Sequence, residues 1–182
     1  LGKGVEFSSF LKKLGIPIVT IYNRIECDFV HVDVDCRQIM RNVVSFLAQK
    51  GYNEMIYIDP HFEKMKSGGI NVFSIEQRRI GYLEGLKEEM LGDGEILEDM
   101  DERQLVGIAK RKDGMKKVFI CRNDTPAVRL MTMFRENNIR VPEDVGIIGF
   151  DNIAILDNIS PRLTSVDCNI KTTGRKATMN LI

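Results

Sequence analysis

Short apolar runs set at intervals along the chain, with longer amphipathic segments between them, constrain the fold more than any other feature of the sequence. The runs cover residues 16–22, 29–33, 55–59, 117–122, 145–150 and 163–166. Most are too short for helices. A run buried on both sides of a parallel sheet is continuously apolar, and the intervening helices supply the cover, so the rhythm predicts an α/β fold.

The helical segments carry their own signal. Residues 36–49 place Ile39, Met40, Val43, Val44 and Leu47 on one face, with Gly51 positioned to end the helix. Residues 75–91 repeat the pattern with Ile80, Leu83, Leu86 and Met90. Gly81 and Gly85 in that segment cost helix propensity, which points to a neighbouring backbone packed close against them. Residues 101–112 form a shorter helix with Leu105, Ile108 and Ala109 inward. Residues 125–138 carry Ala127, Leu130, Met131 and Phe134 on one stripe, which Val128 and Met133 widen. Either a neighbouring element or a second subunit covers the extra width.

Composition excludes several classes. Lysine plus arginine number 26 and aspartate plus glutamate 26, giving a formal net charge of zero, so no strongly basic nucleic-acid-binding domain is expected. No apolar run approaches the roughly 20 residues of a spanning helix. The amino end, Leu1-Gly2-Lys3-Gly4, has the character of neither a signal peptide nor a natural start, and a fragment of a longer protein is expected. Cys27, Cys36, Cys121 and Cys168 are scattered, as reduced cytoplasmic thiols would be. Cys27, His31 and Cys36 match no familiar zinc spacing, so neither metal nor cofactor is expected. His31, Asp33 and Asp35 read as the polar edge of an extended segment.

No linker or repeat divides the chain, so a second lobe must be built from discontinuous pieces. Residues 1–34 and 163–182 are expected in a partial amino-side lobe, and residues 35–162 in a carboxyl-side lobe. Ligands of open parallel sheets sit outside the carboxyl ends of the strands. There the sequence offers Asn123-Asp124, Asp151-Asn152 and, in the helix after residues 55–59, Ser74 and Arg78. A guanidinium, a carboxylate and an amide suit adjacent hydroxyls of a polyhydroxylated ligand. Helix capping competes for Asp124 and Ser74 and is the favoured role for Asp124. No nucleophile elbow, phosphate loop or dinucleotide turn is present, so no enzyme is expected.

The string Val141-Pro142-Glu143-Asp144-Val145-Gly146-Ile147-Ile148-Gly149-Phe150-Asp151-Asn152, then Pro161-Arg162-Leu163-Thr164-Ser165-Val166, resembles the LacI/GalR family of bacterial transcriptional repressors. Collinear pieces agree: Ile16-Pro17-Ile18-Val19 with Tyr22 to Arg24, Val32 to Asp35, Leu47 to Tyr52, Ser74 to Gly81, and Asn123-Asp124 before Ala127. The resemblance implies a periplasmic-binding-protein-like effector domain of two lobes with a small molecule, a sugar or related metabolite, in the cleft. It implies effector contacts from Ser74, Arg78, Asn123 and Asp151, faced by Tyr22. It also implies a homodimer in which Val128 and Ile159 are interface positions. Operator DNA would be bound only through a DNA-binding domain lying outside this chain. Relatives often stack an aromatic ring on the sugar from the region between Tyr82 and Phe119, where this chain has only Met100 as a substitute. A transporter's solute-binding protein, which shares the fold, is the competing reading. Substitution of Arg78 or Asp151 is expected to leave folding stability within roughly 1 kcal/mol.

Overall fold

The computed structural model describes residues 3–22 and 28–181. Helix α1 (Lys3–Lys13) leads into a small parallel sheet of β1 (Val19–Ile21) and β2 (Val30–Val32). The rest alternates strand and helix: α2 (Cys36–Gln49), β3 (Glu54–Ile58), α3 (Phe62–Ser67), α4 (Phe73–Glu88), β4 (Glu95–Leu97), α5 (Glu102–Lys110), β5 (Lys117–Cys121), α6 (Asp124–Glu136) and β6 (Gly146–Phe150). A 3-10 turn (Ala154–Asn158), β7 (Thr164–Val166) and α7 (Ile170–Met179) follow.

Five strands form one parallel sheet in the order β4-β3-β5-β6-β7. Period-two alternation splits its side chains between two faces. On one, Tyr57, Val118, Ile120, Ile148 and Phe150 meet Met40, Val44 and Leu47 of α2 and Tyr82 and Leu86 of α4. On the other, Ile56, Ile58, Phe119 and Ile147 meet Leu105 and Ile108 of α5 and Leu130 and Phe134 of α6. Each such side chain contributes roughly 1.5–3 kcal/mol by leaving water. Tyr57 stacks on Tyr82 at 5.3 Å, and Phe119 meets Phe134 edge-on at 5.0 Å.

The close packing expected of Gly81 and Gly85 is present between α2 and α4. A β-carbon on Gly81 would lie 2.2 Å from the Arg37 carbonyl oxygen, and one on Gly85 2.8 Å from Val44 Cβ. Asp35 caps α2, its carboxylate accepting from the Gln38 amide at 2.9 Å.

Some expectations move. Residues from 163 on were expected with the amino-side strands, yet β7 pairs with β6 and extends the five-stranded sheet. Only after it does the chain cross back, and α7 packs on β1 and β2. The helix expected from residue 75 begins at Phe73, which puts Ser74 inside its first turn rather than at the cap, and the capping residue Val72 makes no side-chain cap.

Candidate functional site

The strand order locates the crevice. From β3 the chain steps to β4 on one side and then returns to lay down β5 on the other, so the connections diverge between β3 and β5. Outside the carboxyl ends of such a pair, no crossover covers the sheet. Asp59 follows β3, Arg122 and Asn123 follow β5, and Asp151 follows β6.

Arg78 rises from α4 into this edge and is 7% exposed. Its Nη2 donates to Asp151 Oδ1 at 3.1 Å, its Nη1 to the Arg122 carbonyl, and its guanidinium lies 3.7 Å over the Phe150 ring. The Nε atom is buried with no hydrogen-bond partner, and so is Oδ1 of Asn123. Asp151 holds its carboxylate there from a backbone at φ +99°, followed by Asn152 at φ +51°, both in the region that favours glycine. The Asp151 amide donates to the Val166 carbonyl at 2.9 Å and anchors the turn on β7.

Burial raises the Asp151 carboxyl above its ordinary range, and Arg78 pulls the other way. Burial also works against the charge of Arg78, but Asp151, Cys36 and Tyr57 more than offset it. The contact between them is single-pronged, with the second guanidinium nitrogen committed to the Arg122 carbonyl.

Tyr22 approaches from the small sheet. Its hydroxyl donates to the Cys168 carbonyl at 3.5 Å, and burial raises its pKa while Thr173 lowers it. Asp151 and Cys36 also act on the phenol electrostatically, so Tyr22 stands near the Arg78–Asp151 pair. Cys168 Sγ is 4.0 Å from Asp151 Oδ1, and burial raises its thiol to about 12. Burial likewise raises the Cys36 thiol, and the nearby charge of Arg78 works against it.

Arg78, Asn123 and Asp151 therefore meet at one edge with Tyr22 near them, and Ser74 is half-buried one turn before Arg78 on α4. Asp124, expected to cap α6, does not. It is fully buried, with Oδ2 accepting from the Ile153 amide at 2.9 Å and Oδ1 from Ser165 Oγ at 2.6 Å. As the first residue of α6 it faces the β6–β7 connection, where those two donors sit, and Asn123 is the capping residue. Arg78 is buried rather than surface-like, which argues against the expectation that its loss would barely affect folding. Met100, the substitute for an aromatic ring, packs instead against the cluster of Ile56, Leu105 and Phe134. His31 pairs with Thr20 across β1 and β2. Asn23, Arg24 and Cys27 lie outside the described residues. Among the described residues no group of three or more His, Cys, Asp or Glu is placed to hold a metal ion, and no helix is long and apolar enough to cross a membrane.

The model of the periplasmic binding protein-like domain matches residues 44–182. The chain belongs to that family. This periplasmic binding protein-like domain is 31% identical over 138 residues to the HTH-type transcriptional repressor PurR of Vibrio parahaemolyticus, covering 72% of this chain and 39% of that protein. It is 25% identical over 169 residues to the probable HTH-type transcriptional repressor ExuR of Bacillus subtilis, covering 88% and 48%. The chain thus spans less than half the length of these relatives. Its fold matches a LacI family transcriptional regulator from Enterococcus faecium with bound ribose, at TM-score 0.76 and 20% identity over 96% of this chain and 64% of that one. It also matches a sugar-binding LacI-family regulator from Escherichia coli complexed with phosphate, at TM-score 0.74 and 22% identity over 99% and 64%. The resemblance to LacI/GalR-type effector-binding domains is borne out.

Sequence reasoning missed a second polar group of the domain at the same edge. Asp59, Arg79, Glu98 and Arg122 are joined by ion pairs, with Arg79 stacked 4.0 Å over Phe62 of α3. The rule that polar residues at strand ends matter could have found Asp59. Arg122, like Asp59, read as the last residue of a strand rather than as a residue beyond its end.

Proposed function

We propose that this domain is the effector-sensing part of a LacI-type transcriptional repressor and has no catalytic role. The observation that carries the reading is the Arg78–Asp151 pair beside the buried, unpartnered Oδ1 of Asn123, at the edge where the strand order diverges. A polyhydroxylated small molecule, a sugar or a related metabolite, supplies donors to Asn123 and Asp151 and acceptors to Arg78, with Ser74 beside them and Tyr22 closing from the amino-side lobe. In this reading residues 35–162 form the carboxyl-side lobe, and residues 1–34 with the segment after β7 belong to the other.

The effector acts by binding one relative lobe orientation better than another, with a coupling of about 1 to 3 kcal/mol. A homodimer carries that preference to operator DNA through a DNA-binding domain elsewhere in the whole protein, in the cytoplasm. The dimer face is the groove of about 700 Å³ between α6 and the 158–161 segment, where Val128, Met131 and Ile159 are apolar. Of the two residues that widen the apolar arc of α6, Val128 lines this groove, whereas Met133 packs against the domain's own core.

The test is thermal stabilisation against sugars, sugar phosphates, nucleosides and purines. A compound at 100 times its Kd raises stability by about 2.7 kcal/mol. One class of hits, lost in Asp151→Asn, supports the reading, whereas hits that persist in that variant place binding elsewhere. For the dimer, Val128→Asp should shift sedimentation from dimer to monomer; an unchanged species would remove this face from consideration.

A further inference from the structure

Asp59 is a charged side chain with no solvent exposure, set at the strand pair where the topology opens the crevice. Its Oδ1 is 3.4 Å from Arg122 Nη1 and its Oδ2 is 3.4 Å from Arg79 Nη1. Each arginine is itself constrained. Arg79 also binds Glu98 Oε1 at 2.8 Å and lies over Phe62, and Arg122 Nη1 lies 3.6 Å from Met65 Sδ. A buried carboxylate survives only when paired, and here one carboxylate serves two guanidinium groups from different elements.

Both arginines flank Arg78. Arg79 is its neighbour on α4, and the carbonyl of Arg122 accepts from Arg78 Nη1. Two chains of contact therefore run from one carboxylate to Arg78: through the side chain and then the carbonyl of residue 122, and through the side chain of residue 79 and the helix that carries both arginines. We propose that Asp59, acting through Arg122 and Arg79, is a positioning residue that sets the orientation of the Arg78 guanidinium toward Asp151. The inference rests on the reading of Arg78 as an effector contact, but its structural content concerns the protein without ligand. Asparagine at position 59 would leave an acceptor for one arginine and turn an amide donor toward the other.

The test follows the Nε–H resonance of Arg78 by nuclear magnetic resonance in the unliganded 182-residue chain, together with its hydrogen-exchange rate. In Asp59→Asn the resonance should shift and its exchange, held back by burial rather than by a hydrogen bond, accelerate at least about tenfold. Arg122→Met, which keeps the carbonyl and fills the space, should shift the same resonance and carries the test if Asp59→Asn does not fold. Leu105→Ala, a core truncation on the opposite face of the sheet, should lower stability and leave the resonance in place. An unmoved Arg78 resonance in either folded variant overturns the proposal, and so does an equal shift in Leu105→Ala. None of these readouts needs an effector, so a failure here is distinct from a failure of the thermal panel.

Discussion

Arg78 Nη2 and Asp151 Oδ1 meet at 3.1 Å at the carboxyl edge of the sheet, one partner carried by helix α4 and the other by the turn after β6. The guanidinium is almost wholly enclosed, the carboxylate less so, with side-chain exposures of 9% and 28%. Of the two, the carboxylate is the group more open to solvent.

Unequal costs follow for the two partners. Arg78→Ala removes the stacking on Phe150 and the bond to the Arg122 carbonyl, and should lower folding stability by about 2 to 4 kcal/mol. Asp151→Asn keeps an acceptor for the guanidinium and should cost about 1 kcal/mol. Urea denaturation gives both values. A loss below about 1 kcal/mol for Arg78→Ala would mean that the side chain is not enclosed in solution.

Two glycines should respond to alanine with opposite signs. At Gly81 the new β-carbon meets backbone of α2, so Gly81→Ala should destabilise by at least about 2 kcal/mol despite better helix propensity. Gly107 of α5 has no atom within 4 Å of that position, and Gly107→Ala should stabilise by about 0.5 to 1 kcal/mol. Equal responses in thermal melts would contradict the close approach of α2 and α4.

Asp124 ties α6 to the β6–β7 connection. Asp124→Ala strands the Ile153 amide and the Ser165 hydroxyl and should cost about 2 to 4 kcal/mol. Asp124→Asn retains an acceptor for the amide, and the serine hydroxyl can turn to accept from the new donor, so its cost should be about 1 kcal/mol or less. If both variants lost the same amount, charge rather than hydrogen bonding would be responsible.

The Arg140–Asp144 pair sets an acid limit. Side-chain bonds from Arg140, joined by its amide, lower the Asp144 carboxyl to about 2. A carboxyl depressed in the folded state lends stability that is fully present above its unfolded value of about 3.9 and is lost as pH falls toward 2. In Arg140→Gln the carboxyl resonance should titrate closer to 3.9, and this part of the acid sensitivity should vanish. A titration that stays near 2 would assign the shift to something other than the guanidinium.

The legible parts of this molecule were those with a repeating pattern. Helix α2 has the bounds its apolar spacing implied, and Gly81 betrayed the helix contact because a glycine inside a helix needs a reason. Strand β4 escaped notice because Glu95–Leu97 has three residues and one buried side chain, too little for an apolar run to register. Helices α3 and α7 lack a broad apolar stripe: Phe62 is the one buried residue of the first, and Thr173 and Ala177 are those of the second. Arg78, Asn123 and Asp151 could be found because each follows or faces a strand end. The partners of Asp59 could not, since pairing across elements depends on a strand order that spacing alone does not disclose.

The hydrogen bond from the Asp151 amide to the Val166 carbonyl gives that acid a mechanical position as well as a chemical one. Val166 is the last residue of β7, and the chain then passes through residues 167–169 into α7, which rests on the small sheet. The connection to the small sheet therefore starts one hydrogen bond away from the backbone of Asp151. If Asp151 meets a bound molecule as proposed, a ligand that fixes its side chain would also stiffen the connection from β7 to α7.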